Sequence, residues 1–121
     1  MRCWPFDESG RKIGDDQECP QYEATILQLI ARPELFDGKR VSVQGFVHLE
    51  FEGRGIYIDR QDYADGLTRN GLWVGGFQEG ARIRDCQDRV VILVGRFRAQ
   101  EYGHMGLWSG SIEDVSVCST W

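Results

Sequence analysis

Between positions 41 and 51 the chain alternates with a period of two, and no other feature restricts its fold as strongly. Val41, Val43, Gly45, Val47, Leu49 and Phe51 form one set, and Ser42, Gln44, Phe46, His48, Glu50 and Glu52 form the other. A strand sends successive side chains to opposite faces, whereas a helix would scatter both sets around its circumference. The first set is apolar and is expected to face a core. The second mixes aromatic, polar and acidic groups and is expected to face outward. Gly45 interrupts the apolar set and predicts a bend or bulge, as a small barrel requires.

The other segments extend this pattern. Gly53-Arg54-Gly55 reads as a tight turn, and 56–58 as a second strand antiparallel to the first. Residues 59–68 are polar, with a short helical insertion expected near 61–68. Asn70-Gly71 is a turn signal before a third strand at 72–74. The apolar run 90–94, followed by Gly95, predicts a fourth strand buried on both faces at its start. The fifth strand is expected over 107–117, interrupted near Gly110. Ahead of all of these, Tyr22, Ile26, Leu29 and Ile30 share one helical face, which predicts an amphipathic helix over 20–32. Pro20 suits its first turn and Pro33 stops it. The expectation is a mainly β chain: a five-stranded barrel with an N-terminal amphipathic helix. Residues 1–18 read as an irregular arm and 19–121 as one domain.

The 121 residues are 41% hydrophobic, which suits a packed core, and carry a formal net charge of −5. Broad binding to nucleic acid depends on Lys and Arg meeting phosphates, so an acidic chain is poorly suited to it. No apolar run approaches the roughly 20 residues that a spanning helix needs. The first ten residues lack the apolar stretch of an export signal, so a cytoplasmic location is expected. Cys3, Cys19, Cys86 and Cys118 form no C-x-x-C pair, match no zinc module and are expected as free thiols in a reducing compartment. In an exported protein, a Cys3–Cys19 bridge could instead tie down the arm.

The order of motifs resembles an OB-fold. The segments are 37–47 (G-K-x-V-x-V-x-G-x-V), 55–59, 71–74, 89–97 (Arg89-Val-Val-Ile-Leu-Val-Gly-Arg-Phe97, which departs from V-x-V-x-G-x-F at Leu93) and 110–115 (G-x-I-x-D-V). Together with Leu49-Glu-Phe-Glu-Gly53 and Gly103-His-Met-Gly-Leu-Trp-Ser-Gly110, they are similar to small bacterial domains, some of which act as immunity proteins against toxins. That resemblance implies binding to another protein rather than catalysis, and assigns no residue a role.

Two surfaces compete as the binding site. In an OB barrel the loops between strands one and two and between strands four and five flank the ligand face. Here they offer Glu50, Glu52, Arg54, Tyr102, His104, Met105 and Trp108, and the neighbouring Asp62 adds to an acidic patch with Asp59 and Asp65. Aromatics, Met and Arg are enriched at protein interfaces, and acidity favours a basic partner. The bland alternative is that Met105 and Trp108 plug the barrel end. The second surface is an outward aromatic stripe of Phe46, His48, Tyr57 and Trp73, which could stack the bases of a single strand. Its bland alternative is that the N-terminal helix lies on the stripe. Arg82, Arg84, Arg89, Arg96 and Arg98 form a group in which Arg96 and Arg98 share a strand face, as a strip for RNA or as partners of Glu101, Glu113 or Asp114. His48 and His104 are the two histidines, and no nucleophile motif accompanies them. Residues 59–65 do not match a calcium loop, because Gln61 and Tyr63 stand where ligands are needed. The expectation is a non-enzymatic protein binder with no cofactor or metal, a basic protein as partner and no membrane contact.

Overall fold

The computed structural model describes residues 21–51, 53–81 and 86–120. Six strands form one sheet: β1 (Tyr22–Glu23), β2 (Arg40–His48), β3 (Gly55–Tyr57), β4 (Gly71–Val74), β5 (Arg89–Arg98) and β6 (Ser111–Thr120). The order is β1-β2-β3-β4-β6-β5, and β5 pairs back onto β2, so the last five strands close into a barrel. Closure is antiparallel between β2 and β5, from Arg40↔Arg96 to Val47↔Arg89, and parallel between β4 and β6 at Trp73↔Ser111. A closed barrel leaves few ladder groups at a free edge. Within β2 the period of two holds: Val41, Val43, Gly45 and Val47 point inward and pack with Ile56, Leu72, Val74, Val91, Leu93, Phe97, Ile112 and Val115.

The alternation ends sooner than its pattern implies. β2 stops at His48, Leu49 only packs beside the core, and Phe51 is 92% exposed. The short β3 pairs only as far back as Gly55↔His48, so no neighbour holds Phe51 in register. The second strand likewise covers Gly55–Tyr57 and leaves Ile58 exposed. The run 90–94 is not buried on both faces: Val90 is 42% exposed while Val91 and Leu93 point inward, because a barrel strand has one interior face. The last strand begins at Ser111, after Gly110, rather than at 107.

The N-terminal helix is shorter than its periodicity. Tyr22 is in β1, paired in parallel with Val41, and α1 spans Ile26–Ala31. A capping box sets its start: the Thr25 hydroxyl accepts from the Gln28 amide at 3.0 Å, and the Gln28 side chain accepts from the Thr25 amide at 2.8 Å. Pro33 follows its end, opening a single 3-10 turn over Pro33–Leu35. A helix this short owes its stability to packing, here to the buried Ile26 and Leu29. Pro20 lies outside the described residues, as does the arm 1–18.

Gly45 explains where α1 docks. A Cβ there would lie 2.5 Å from the Tyr57 carbonyl oxygen, 2.7 Å from Ile56 Cγ1 and 2.9 Å from Ile26 Cδ1. The glycine is thus a point of close approach, and the β2–β5 register runs past it without a slip. The irregularity sits instead on β5, between Val94 and Arg96. Gly45→Ala is expected to destabilise the protein by about 1–3 kcal/mol, because the nearest obstacle is backbone and cannot rotate away. Denaturant unfolding measures this, and an unchanged midpoint would contradict the docking of α1 at Gly45.

The cysteine expectation is corrected for two of the four. Cys86 and Cys118 form a disulfide with Cα atoms 6.1 Å apart, within the usual span for such a bond. No spacing motif announces the pair, since the barrel alone brings residue 86 beside β6. Cys3 and Cys19 lie outside the described residues.

Candidate functional site

Phe46, His48, Tyr57 and Trp73 do share the outer face of β2, β3 and β4, as alternation requires. They are not open to solvent. A second helix, α2 (Arg60–Ala64), follows β3 directly, and the Asp59 carboxylate caps it by accepting from the Asp62 amide at 2.8 Å. One helical turn places Arg60 and Tyr63 on the same side, facing the sheet. The Tyr63 ring lies 5.5 Å from Phe46, 5.5 Å from Tyr57 and stacked at 4.5 Å on His48. The Arg60 guanidinium sits 4.6 Å from the Phe46 ring centre, a cation–π contact. Phe46 is left 0% exposed. The stripe is therefore covered, by α2 rather than by α1. α1 packs with the barrel interior.

The other end of the stripe is covered by the segment between β5 and β6. Trp108 meets Trp73 edge to face at 5.0 Å, and its indole nitrogen lies over Gly55, 2.8 Å from where a Cβ would stand. Trp108 is 5% exposed, so it anchors its loop and is not an accessible contact residue. Met105 in the same loop is 78% exposed, in a left-handed conformation (φ 60°) that a non-glycine residue adopts at some cost. Trp108 is thus buried against the outer face of the sheet and not in the barrel end, and Met105 is exposed. Tyr102, Leu107 and His104 are exposed as well. Among the described residues, two buried side-chain nitrogens lack a hydrogen-bond partner: Trp108 Nε1 and Arg54 Nε. Burial pushes the Tyr57 phenol above its ordinary range; the Trp108 indole N–H opposes this but falls short of hydrogen-bond geometry, while Tyr63 and Glu50 reinforce it. The Tyr63 phenol is raised too, first by burial and then by Glu50 and Asp88.

His48 sits where the barrel meets the loop 49–54. Its Nδ1 is 2.6 Å from Asp88 Oδ1, and its Nε2 is 3.5 Å from Glu50 Oε1. Gln87 accepts the Leu49 amide at 2.9 Å, and the Asp88 amide donates to the Val47 carbonyl at 2.8 Å. Arg60 donates to the Asp88 carbonyl at 3.2 Å. Sequence reasoning missed Arg60, Tyr63, Gln87 and Asp88. Tyr63 had a readable signal, since Asp59 followed three residues later by Asp62 marks a helix start and places residue 63 one turn in. Gln87 and Asp88 had none, because only the β2–β5 pairing brings them to His48.

These contacts hold two loops against one rung of the sheet. Gly55 pairs with Trp73, Trp108 rests on Gly55, and Arg54 donates to the Gly75 carbonyl at 2.6 Å. The loops thus converge on the Gly55–Trp73 rung, one presenting Phe51 and Glu50, the other Tyr102, Met105 and Leu107. Arg54 and Asp62 are half-buried, and Glu52 is not among the described residues. Glu50, Asp59, Asp65 and Asp88 are exposed, and of the nearby basic groups Arg60 is committed to Phe46 and Asp88.

The arginine strip is occupied at home. Arg98 Nε is 3.7 Å from Glu113, Arg96 donates to the Gly38 carbonyl, and Arg40 donates to the Ser116 hydroxyl. Hydrogen bonding with Glu101 holds the Glu113 carboxyl above its usual range, with burial adding to the shift. Arg82 and Arg84 lie outside the described residues.

In comparisons with known proteins, no family model, curated protein or solved structure matches the chain. What the site can do is therefore decided by its own geometry. Covered ring faces do not stack bases. Exposed apolar groups on two anchored loops can bury against another surface.

Proposed function

We propose that this chain is a non-enzymatic protein-binding module of OB type whose contact surface is formed by the two loops that carry Phe51 and Met105 and meet at the Gly55–Trp73 rung. One observation supports this above the rest: among the described residues, the most exposed large apolar side chains, Phe51 at 92% and Met105 at 78%, belong to two loops anchored at the same rung. Exposed apolar groups gathered at one place, with polar neighbours around them, mark interaction sites. Anchoring matters as much as exposure, because a loop already held by Trp108 and His48 loses less freedom on binding. The partner we infer is a basic protein. Glu50, Asp59, Asp65 and Asp88 would steer it to the surface, and Phe51 and Met105 would bury against it. A standard interface of about 800 Å² per partner would span both loops. Occlusion of a basic enzyme such as a bacterial toxin, by a cytoplasmic immunity protein, is the specific form of this reading.

Photocrosslinking residues introduced at 51 and 105 test it, with exposed Leu27 on α1 as the control position. The expected result is one saturable protein adduct from 51 and 105 and none from 27. Phe51→Ala is expected to weaken that partner's binding roughly 30-fold, the effect of removing one hot spot of about 2 kcal/mol. Glu50→Lys is expected to slow association at low salt. Adducts with nucleic acid, or equal labelling from all three positions, would refute the reading.

A further inference from the structure

The disulfide and the Phe51 loop meet in one short stretch of chain. Cys86 is fully buried, and the two residues after it hold the loop 49–54 in place. Gln87 accepts the Leu49 amide at 2.9 Å, and Asp88 reaches His48 Nδ1 at 2.6 Å. Asp88 does so from a left-handed conformation, φ 56°, which an aspartate enters only at some cost and keeps only where its surroundings hold it. Its amide donates to Val47 and its carbonyl accepts from Arg60. The disulfide fastens the start of this strained stretch to β6 through Cys118, across a sequence separation of 32.

We propose that the Cys86–Cys118 disulfide is a redox latch on the Phe51 loop. Oxidised, it holds residues 86–88 against β2 and so presents Phe51 on an ordered loop. Reduced, it releases 86–88, Asp88 relaxes from its left-handed conformation, the Leu49 amide loses Gln87 and His48 Nδ1 loses Asp88. The regulatory meaning rests on the binding role proposed above for that loop.

The chemistry is thiol–disulfide exchange with an external dithiol. Cys118 is half-buried and Cys86 is not exposed, so the attacking thiolate meets the Cys118 sulfur. The sulfur–sulfur bond to Cys86 breaks and a mixed disulfide with Cys118 forms. The Cys86 sulfur leaves as a thiolate and takes up a proton. The reductant's second thiol then releases Cys118, so that the protein gains two electrons and two protons while the dithiol becomes a cyclic disulfide.

Amide hydrogen exchange on the full chain, before and after reduction with dithiothreitol under native conditions, tests the latch. Reduction is expected to speed exchange of the Leu49 amide at least ten-fold more than that of β2–β5 ladder amides such as Val43, which report only the fall in global stability. A Cys86→Ala/Cys118→Val double variant, which replaces both sulfurs with apolar groups, is expected to reproduce the reduced pattern. Unchanged Leu49 exchange would overturn the proposal. So would acceleration of Leu49 and Val43 by one common factor, which would make the bond a global staple and not a local latch. None of these readings requires a partner. If Leu49 is released on reduction but crosslinking from residue 51 to a protein never occurs, the latch stands and the binding role falls.

Discussion

Phe46→Ala is expected to destabilise the protein by about 3–5 kcal/mol, the range for truncating a fully buried phenylalanine, although residue 46 lies outside the barrel. Phe46 is buried by Arg60, Tyr63 and the sheet itself, so its removal leaves a cavity beneath α2. Phe51→Ala provides the contrast. It removes the same side chain from a position in contact with solvent, and its expected effect on stability is within about 0.5 kcal/mol. Guanidinium unfolding monitored by circular dichroism separates the two. A loss below about 1 kcal/mol for Phe46→Ala would mean that the cover over the stripe is loose, and base stacking on Phe46 and Tyr57 would again be a competitive reading.

Loss of the Cys86–Cys118 bond is the second large effect. Closing a loop of 32 residues restricts the unfolded chain by an amount equivalent to about 3–4 kcal/mol in the chain-entropy account. Small domains have roughly 5–15 kcal/mol of net stability, so the reduced chain should stay folded with much of its margin gone. Urea unfolding with and without reductant measures the difference, and equal midpoints would show that the bond constrains little. The bond also bears on where the protein works. Disulfides persist in oxidising compartments and are rare and often regulatory in the cytosol. Rapid alkylation of cells followed by mass spectrometry of the 86 and 118 peptides separates these situations. Thiols labelled at rest and protected only after oxidant treatment accord with a regulated bond in a reducing compartment, and thiols protected at rest with an oxidising one.

The barrel was legible because its strands alternate, and alternation follows from strand geometry alone. Val41, Val43, Val47, Ile56, Leu72 and Val74 are all interior positions in both the pattern and the structure. The short insertion after the second strand was legible as well, from its polar composition between two apolar segments. Boundaries were less so. Tyr22 fits a helical face with Ile26, Leu29 and Ile30, yet it is in β1, because Thr25 is the residue that caps the helix and Val41 offers Tyr22 a ladder. Phe51 fits the inward set, yet it is exposed, because pairing with β3 ends at His48.

The candidate site divides in the same way. That Phe46, His48, Tyr57 and Trp73 face outward is a property of the local chain, readable one residue at a time. Whether an outward side chain is free is not, since that depends on what else folds onto it. Tyr63 covers three of those residues from α2, Trp108 covers the fourth from 35 positions further along the chain (73 to 108), and Asp88 reaches His48 across a separation of 40. Alternation is a short-range consequence of backbone geometry and is written into consecutive residues. Cover, anchorage and the cysteine pairing are long-range contacts that exist only after β2 has met β5, and only the tertiary structure could decide them.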